Sequence, residues 1–95
     1  MNKNRVVDII TECVANNQLM SLTYKRERDK KQITRMVEPY EVKEVEGYWY
    51  LYAHDTTGGY KKGQGRTRTT KSFILENIVS VRNVNRDFIP RYQTL

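Results

Sequence analysis

A chain of 95 residues with 17 Lys and Arg against 11 Asp and Glu, one His and one Cys carries a formal charge of +6 at pH 7. At 38% hydrophobic content it has material for one small core, and not for the two-domain clefts of most dehydrogenases or kinases. One cysteine excludes an internal disulfide and no apolar run approaches the ~20 residues of a membrane span, so the sequence predicts a soluble, unexported, cytoplasmic protein.

Val6, Ile9, Ile10, Cys13 and Val14 recur at helical spacing, which predicts a helix over residues 4–16 that ends at Asn16-Asn17. Cys13 lies on that stripe and reads as a small core hydrophobe, not a reactive thiol. The period then changes to two, with Met20, Leu22 and Tyr24 alternating against Ser21, Thr23 and Lys25 in a first strand. The polar run Arg26 to Gln32 turns the chain into a second extended segment, Ile33 to Val42, where Pro39 demands an edge, a bend or a bulge.

Acidic residues and Gly47 make the next turn. Tyr48 to His54 is the most strand-like segment, expected to be covered on both faces at the centre of the sheet. Alternation puts Trp49, Leu51 and Ala53 on one face and Tyr48, Tyr50, Tyr52 and His54 on the other. Residues 56–65 hold four of the five glycines and lead into a basic strand from Arg66 to Phe73. Leu75, Ile78, Val79, Val81 and Val84 carry a last strand or a turn plus strand, followed by an arm docked through Phe88, Ile89 and Tyr92. One helix and about five short strands predict a mainly β fold, a small antiparallel barrel of the SH3 or Sm type. Its expected parts are a helix over 1–17, a β-barrel over 18–84 and a C-terminal arm over 85–95.

The charge is unevenly placed. Residues 18–35 carry +4, 36–55 carry −4, and 56–75 carry +5 with no acid, from Lys61, Lys62, Arg66, Arg68 and Lys71. Two basic segments flanking an acidic one predict a positive patch that attracts anions. Catalytic templates are missing: there is no Cys-x-x-Cys or Gly-x-Ser-x-Gly, and one His cannot build a multi-His metal site. Glu38, Glu41, Glu44 and Glu46 read as a solvated acidic segment, not an acid–base pair. The sequence therefore predicts a binding protein with no catalytic residue, metal or cofactor. Tyr24, Tyr50, Tyr52 and His54 offer rings on which bases stack for ~1–3 kcal/mol each. Together with Arg26, Arg66, Arg68 and Lys71 they define the expected groove, open to single-stranded nucleic acid or a phosphorylated nucleotide.

These residues also carry a family resemblance. Leu22-Thr23-Tyr24, Arg35 to Tyr40, Gly47 to Asp55 around Trp49-Tyr50-Leu51, and Phe73 to Ile78 follow in order the pattern of the WYL-domain family, across about Ile9 to Val81. The resemblance implies an Sm/SH3-like barrel and a ligand-binding module of bacterial transcription regulators or phage-defence systems. It carries ligand positions over to Tyr24, His54 and Lys71. In the late motif the sequence departs from the family, with Ile74 and Asn77 where arginines are usual. A single helix cannot form a winged helix, so the expectation is a stand-alone WYL domain. The alternatives are a protein-interaction or dimerisation module, serving as accessory subunit or antagonist of a regulatory or defence protein, and a phage or mobile-element protein that sequesters a nucleotide signal.

Overall fold

The computed structural model describes residues 3–56 and 71–90. Helix α1 spans Lys3–Asn16. It buries Val6, Ile10 and Cys13 fully, with Ile9 and Val14 packed partly beside them. Asn17 closes the helix in the left-handed conformation (φ 52°), which Asn tolerates, and the chain enters a strand at once.

The strands are β1 (Gln18–Lys25), β2 (Gln32–Val45), β3 (Tyr48–Asp55), β4 (Lys71–Ile74) and β5 (Ile78–Asp87). A 3-10 turn, Leu75–Asn77, joins β4 to β5. All pairings are antiparallel, in the order β4-β3-β2-β1-β5. Two expectations are corrected by this order. The centre of the sheet is β2, not the aromatic strand β3. Among the described residues the sheet is not closed into a barrel, because its edges β4 and β5 follow one another through the 3-10 turn without pairing.

The β2–β3 hairpin turns on Glu46 and Gly47, both at positive φ (52° and 87°), the geometry that matches strand twist in a two-residue turn. Pro39 is accommodated by a bulge: the β2–β3 register shifts between Pro39 and Glu41, with Tyr40 as the extra residue. The β1–β2 pairing ends at Val37, so the proline lies where β2 pairs with β3 alone.

One face of the sheet, the inner face, carries Met20, Leu22, Val37, Leu51, Ala53 and Phe73 against α1, and Leu75, Ile78 and Val81 complete the core. Coverage of β3 is one-sided: Leu51 and Ala53 are fully buried, Tyr50, Tyr52 and His54 only partly, and Tyr48 and Trp49 stand half exposed. The segment after β5 docks through Phe88. Its N–H donates to the Asn17 carbonyl (3.0 Å) and its ring meets Tyr40 edge-on at 5.6 Å. Ile89, expected to dock as well, is 89% exposed, and Tyr92 lies outside the described residues.

Candidate functional site

The inner-face stripe of β3 reads Trp49, Leu51, Ala53, Asp55, and its two ends differ in chemistry. At the Asp55 end the carboxylate is largely buried and two cations converge on one oxygen. Lys71 Nζ donates to Asp55 Oδ2 at 3.3 Å, and Arg35 Nε lies 3.6 Å from the same atom. Register explains the meeting: Asp55 pairs with Val37 and Lys71 with Ala53, so all these side chains leave the sheet on the same side. Thr56 holds this end of β3 onto β2, its N–H and hydroxyl both donating to the Met36 carbonyl (2.8 and 2.9 Å). Arg35 Nε is buried without a hydrogen-bond acceptor. Two cations on one carboxylate leave a net positive charge at a half-covered position.

Two residues beyond Lys71, Phe73 packs edge-on against Tyr24 with ring centroids 5.1 Å apart. Tyr24 belongs to the inner face, in phase with Met20 and Leu22. The rings floor a cleft of about 190 Å³ at the seam between the β4 edge and the end of β1, lined also by Lys25, Arg26, Glu27, Ser72, Ile74 and Asn77. Arg26 sits at its lip, yet its guanidinium is engaged inside the β1–β2 turn: Nε and Nη2 donate to the two Asp29 oxygens at 3.1 and 2.7 Å. Asp29 also accepts from the Lys31 N–H (3.2 Å), and Lys30 adopts φ 59° to close the turn. The hydrogen bonds from Arg26 hold the Asp29 carboxyl below the usual carboxylate range, and the same pairing raises Arg26 further.

The expected single groove is thus divided. Tyr24, Arg26 and Lys71 gather around the seam, whereas Tyr50, Tyr52 and His54 occupy the opposite, outer face of β3. Tyr50 and Tyr52 lie side by side there, their centroids 6.4 Å apart. Arg66 and Arg68 lie outside the described residues, in the stretch that begins and ends at the Asp55–Lys71 pair. The acidic segment needs correction too. Glu38, paired across the ladder with His54, is buried at 3% exposure and accepts a 2.8 Å bond from the Tyr40 hydroxyl. Tyr40, wedged against Phe88, shields it from solvent. Cys13 is buried as expected, and burial pushes its thiol up, with Glu12 adding to the shift.

The sequence reading missed Arg35 and Asp55. A signal was present, since Asp55 continues the apolar alternation of Leu51 and Ala53, and a carboxylate on an inner stripe needs partners. It also missed the opposite end of the stripe. There Trp49, Val42 and Leu75 face Val7, Thr11 and Val14 of α1 across an open groove of about 840 Å³, whose remaining lining residues are Glu41, Glu76 and Gly47.

No helix among the described residues is long and apolar enough to cross a membrane. No curated protein matches the chain by sequence. Among solved structures, the fold is similar to proteasome accessory factor B/C (PafBC) of Arthrobacter aurescens, with a TM-score of 0.73 at 16% identity, over 90% of this chain and 12% of that one. This chain therefore spans about an eighth of that protein's length, and the likeness is one of fold. A family model described as the WYL domain matches residues 5–82, from within α1 to the middle of β5, and the chain belongs to the WYL-domain family.

Proposed function

We propose that this domain is a ligand-binding regulatory module whose seam takes a phosphorylated nucleotide or a short single-stranded nucleic acid. The observation that carries the reading is the pair of cations, Arg35 and Lys71, answered by the single carboxylate of Asp55 beside the Tyr24–Phe73 rings. A phosphate at this point completes the charge balance, and the Arg35 Nε–H gains the acceptor it lacks. Lys25 adds charge at the lip, while Tyr24 presents a ring with a polar tip to a base or sugar. Four further cations, Lys61, Lys62, Arg66 and Arg68, lie in the sequence between Asp55 and Lys71, outside the described residues. The partly open sheet is read as an Sm/SH3-like barrel whose unsealed seam is the binding site, and the chemistry as binding without catalysis.

Thermal-shift screening with nucleoside mono- and diphosphates and short oligonucleotides tests this. A ligand at 100 times its Kd adds ~2.7 kcal/mol, which in a domain of this size raises Tm by ~10–20 °C. Lys71→Glu should abolish the shift, and salt should weaken oligonucleotide binding with a log–log slope near −0.7 per phosphate engaged. Absence of any shift at low salt, or a shift indifferent to Lys71→Glu, overturns the proposal.

A further inference from the structure

The groove at the Trp49 end of β3 rests on observations independent of the seam, and the geometry points to a docking site for a basic amphipathic helix of a partner polypeptide. Its walls are apolar: Val7 and Val14 from α1 on one side, Val42, Trp49 and Leu75 on the other. Trp49 is 51% exposed and Val7 38%, two of the five exposed large hydrophobic side chains among the described residues, the others being Val45, Tyr48 and Ile89. Val7, Thr11 and Val14 extend about 10 Å along α1, roughly two helical turns, and Thr11 in the middle is small enough for a second helix to approach closely. A helix laid alongside α1 would place apolar residues at i, i+3 or i+4, and i+7 against Trp49, Val42 and Leu75.

Charge selects the occupant. The lining contains no basic residue and includes Glu76; Glu41 also borders it, though its pairing with Tyr52 sends its side chain to the outer face. Glu44 pairs with Trp49 in the ladder and so leaves the sheet on the same side, and Glu46 caps the adjoining turn. A protein of net charge +6 thus presents an acid-rimmed apolar groove, which favours Lys or Arg flanking the apolar anchors. Phosphates are repelled there, which argues against nucleic acid. A two-fold pairing of identical copies would set these acids against themselves, which argues against a second copy. Residues 57–70 and 91–95 of this chain are basic, but they carry too few large apolar residues to serve as anchors.

Trp49 is the only tryptophan and reports directly on the groove. The probe is a synthetic peptide of about four helical turns, with leucine on one face and lysine elsewhere. Two controls accompany it: one with glutamate replacing lysine, one of the same composition with the leucines scattered. Saturable blue-shift of Trp49 emission is expected with the first peptide, and about tenfold weaker binding with either control. By anisotropy of labelled peptide, Glu44→Lys with Glu76→Lys, both exposed positions, should weaken binding more at low salt than at high salt. Val7→Lys should weaken it at every salt concentration, with circular dichroism confirming an unchanged fold. Equal binding of the acidic or scattered peptide overturns the inference. So does a Trp49 shift that grows with protein concentration alone, which would assign the groove to a second copy, or no emission change at millimolar peptide. Lys71→Glu should leave this binding intact, so the groove and the seam fail or hold separately.

Discussion

The two ends of the β3 inner stripe lie six residues apart, roughly 20 Å along one strand, yet they favour opposite partners. At the Trp49 end apolar surface is left open beneath glutamates. At the Asp55 end two cations crowd one carboxylate near a pair of edge-on rings. Between them Leu51 and Ala53 are sealed under the core. The net charge of +6 is therefore a poor guide to either site. What decides is what packs beside each part of the stripe: β3 meets the 3-10 turn, β2 and β4, whereas α1 lies chiefly against β5, β2 and β1.

The most damaging test removes the seal. Leu51→Ala deletes a fully buried side chain shared by both halves and should cost about 2–5 kcal/mol, a large part of the roughly 5–15 expected of so small a domain. Thermal or urea unfolding should show Tm lowered by ~10 °C or more. Both sites should weaken together. If only one does, the two ends are not carried by a common core.

A smaller effect distinguishes the ends. Asp55→Asn leaves Arg35 and Lys71 facing one another without a counter-charge. Lys71 is mostly exposed and Arg35 about a third exposed, so after solvent screening the loss should be about 1–2 kcal/mol. The same change should strengthen phosphate binding at the seam and leave Trp49 emission unmoved. Weaker phosphate binding in a folded Asp55→Asn protein would show that Asp55 positions the cations and does not compete with the ligand.

The order of helix and strands and the alternation within each strand were legible in the sequence, because spacing reports directly which residues of one element share a face. An irregularity at Pro39 was legible too, as an edge, a bend or a bulge, and the structure takes the bulge. The grouping of tyrosines was misread for a traceable reason. Tyr24 is in phase with the buried Met20 and Leu22, whereas Tyr50 and Tyr52 are out of phase with Leu51 and Ala53, so the two sets had to fall on opposite faces. Similar side chains suggested a single surface where phase separated them. Other features depend on tertiary placement. Which elements pack beside β3 decides that Trp49 is half exposed, and the packing of Phe88 on Tyr40 decides that Glu38 is buried. No local pattern encodes either.

The subtlest expected effect is a pH response confined to the seam end. The carboxyl of Asp29 is lowered first by its hydrogen bonds from Arg26, then by the Lys31 N–H. A carboxyl lowered on folding contributes stability that is fully present above its unfolded value, near 3.9, and is lost as the pH falls through the lower folded value. The turn should therefore stay closed through mild acid and open below the ordinary aspartate range. Because each side chain of the pair keeps about a third of its surface in solvent, the global melting temperature should scarcely register it. The Lys31 amide, bonded to Asp29 Oδ1 at 3.2 Å, is the local reporter, and its NMR shift should titrate below the ordinary aspartate value while the Trp49 indole stays still. Asp29→Asn should abolish that titration and, by releasing the Arg26 fork at the lip of the cleft, strengthen anion binding at the seam alone. A Lys31 titration at or above the ordinary aspartate value would mean that Arg26 is not held by Asp29 in solution, and the seam would then have its third cation already free.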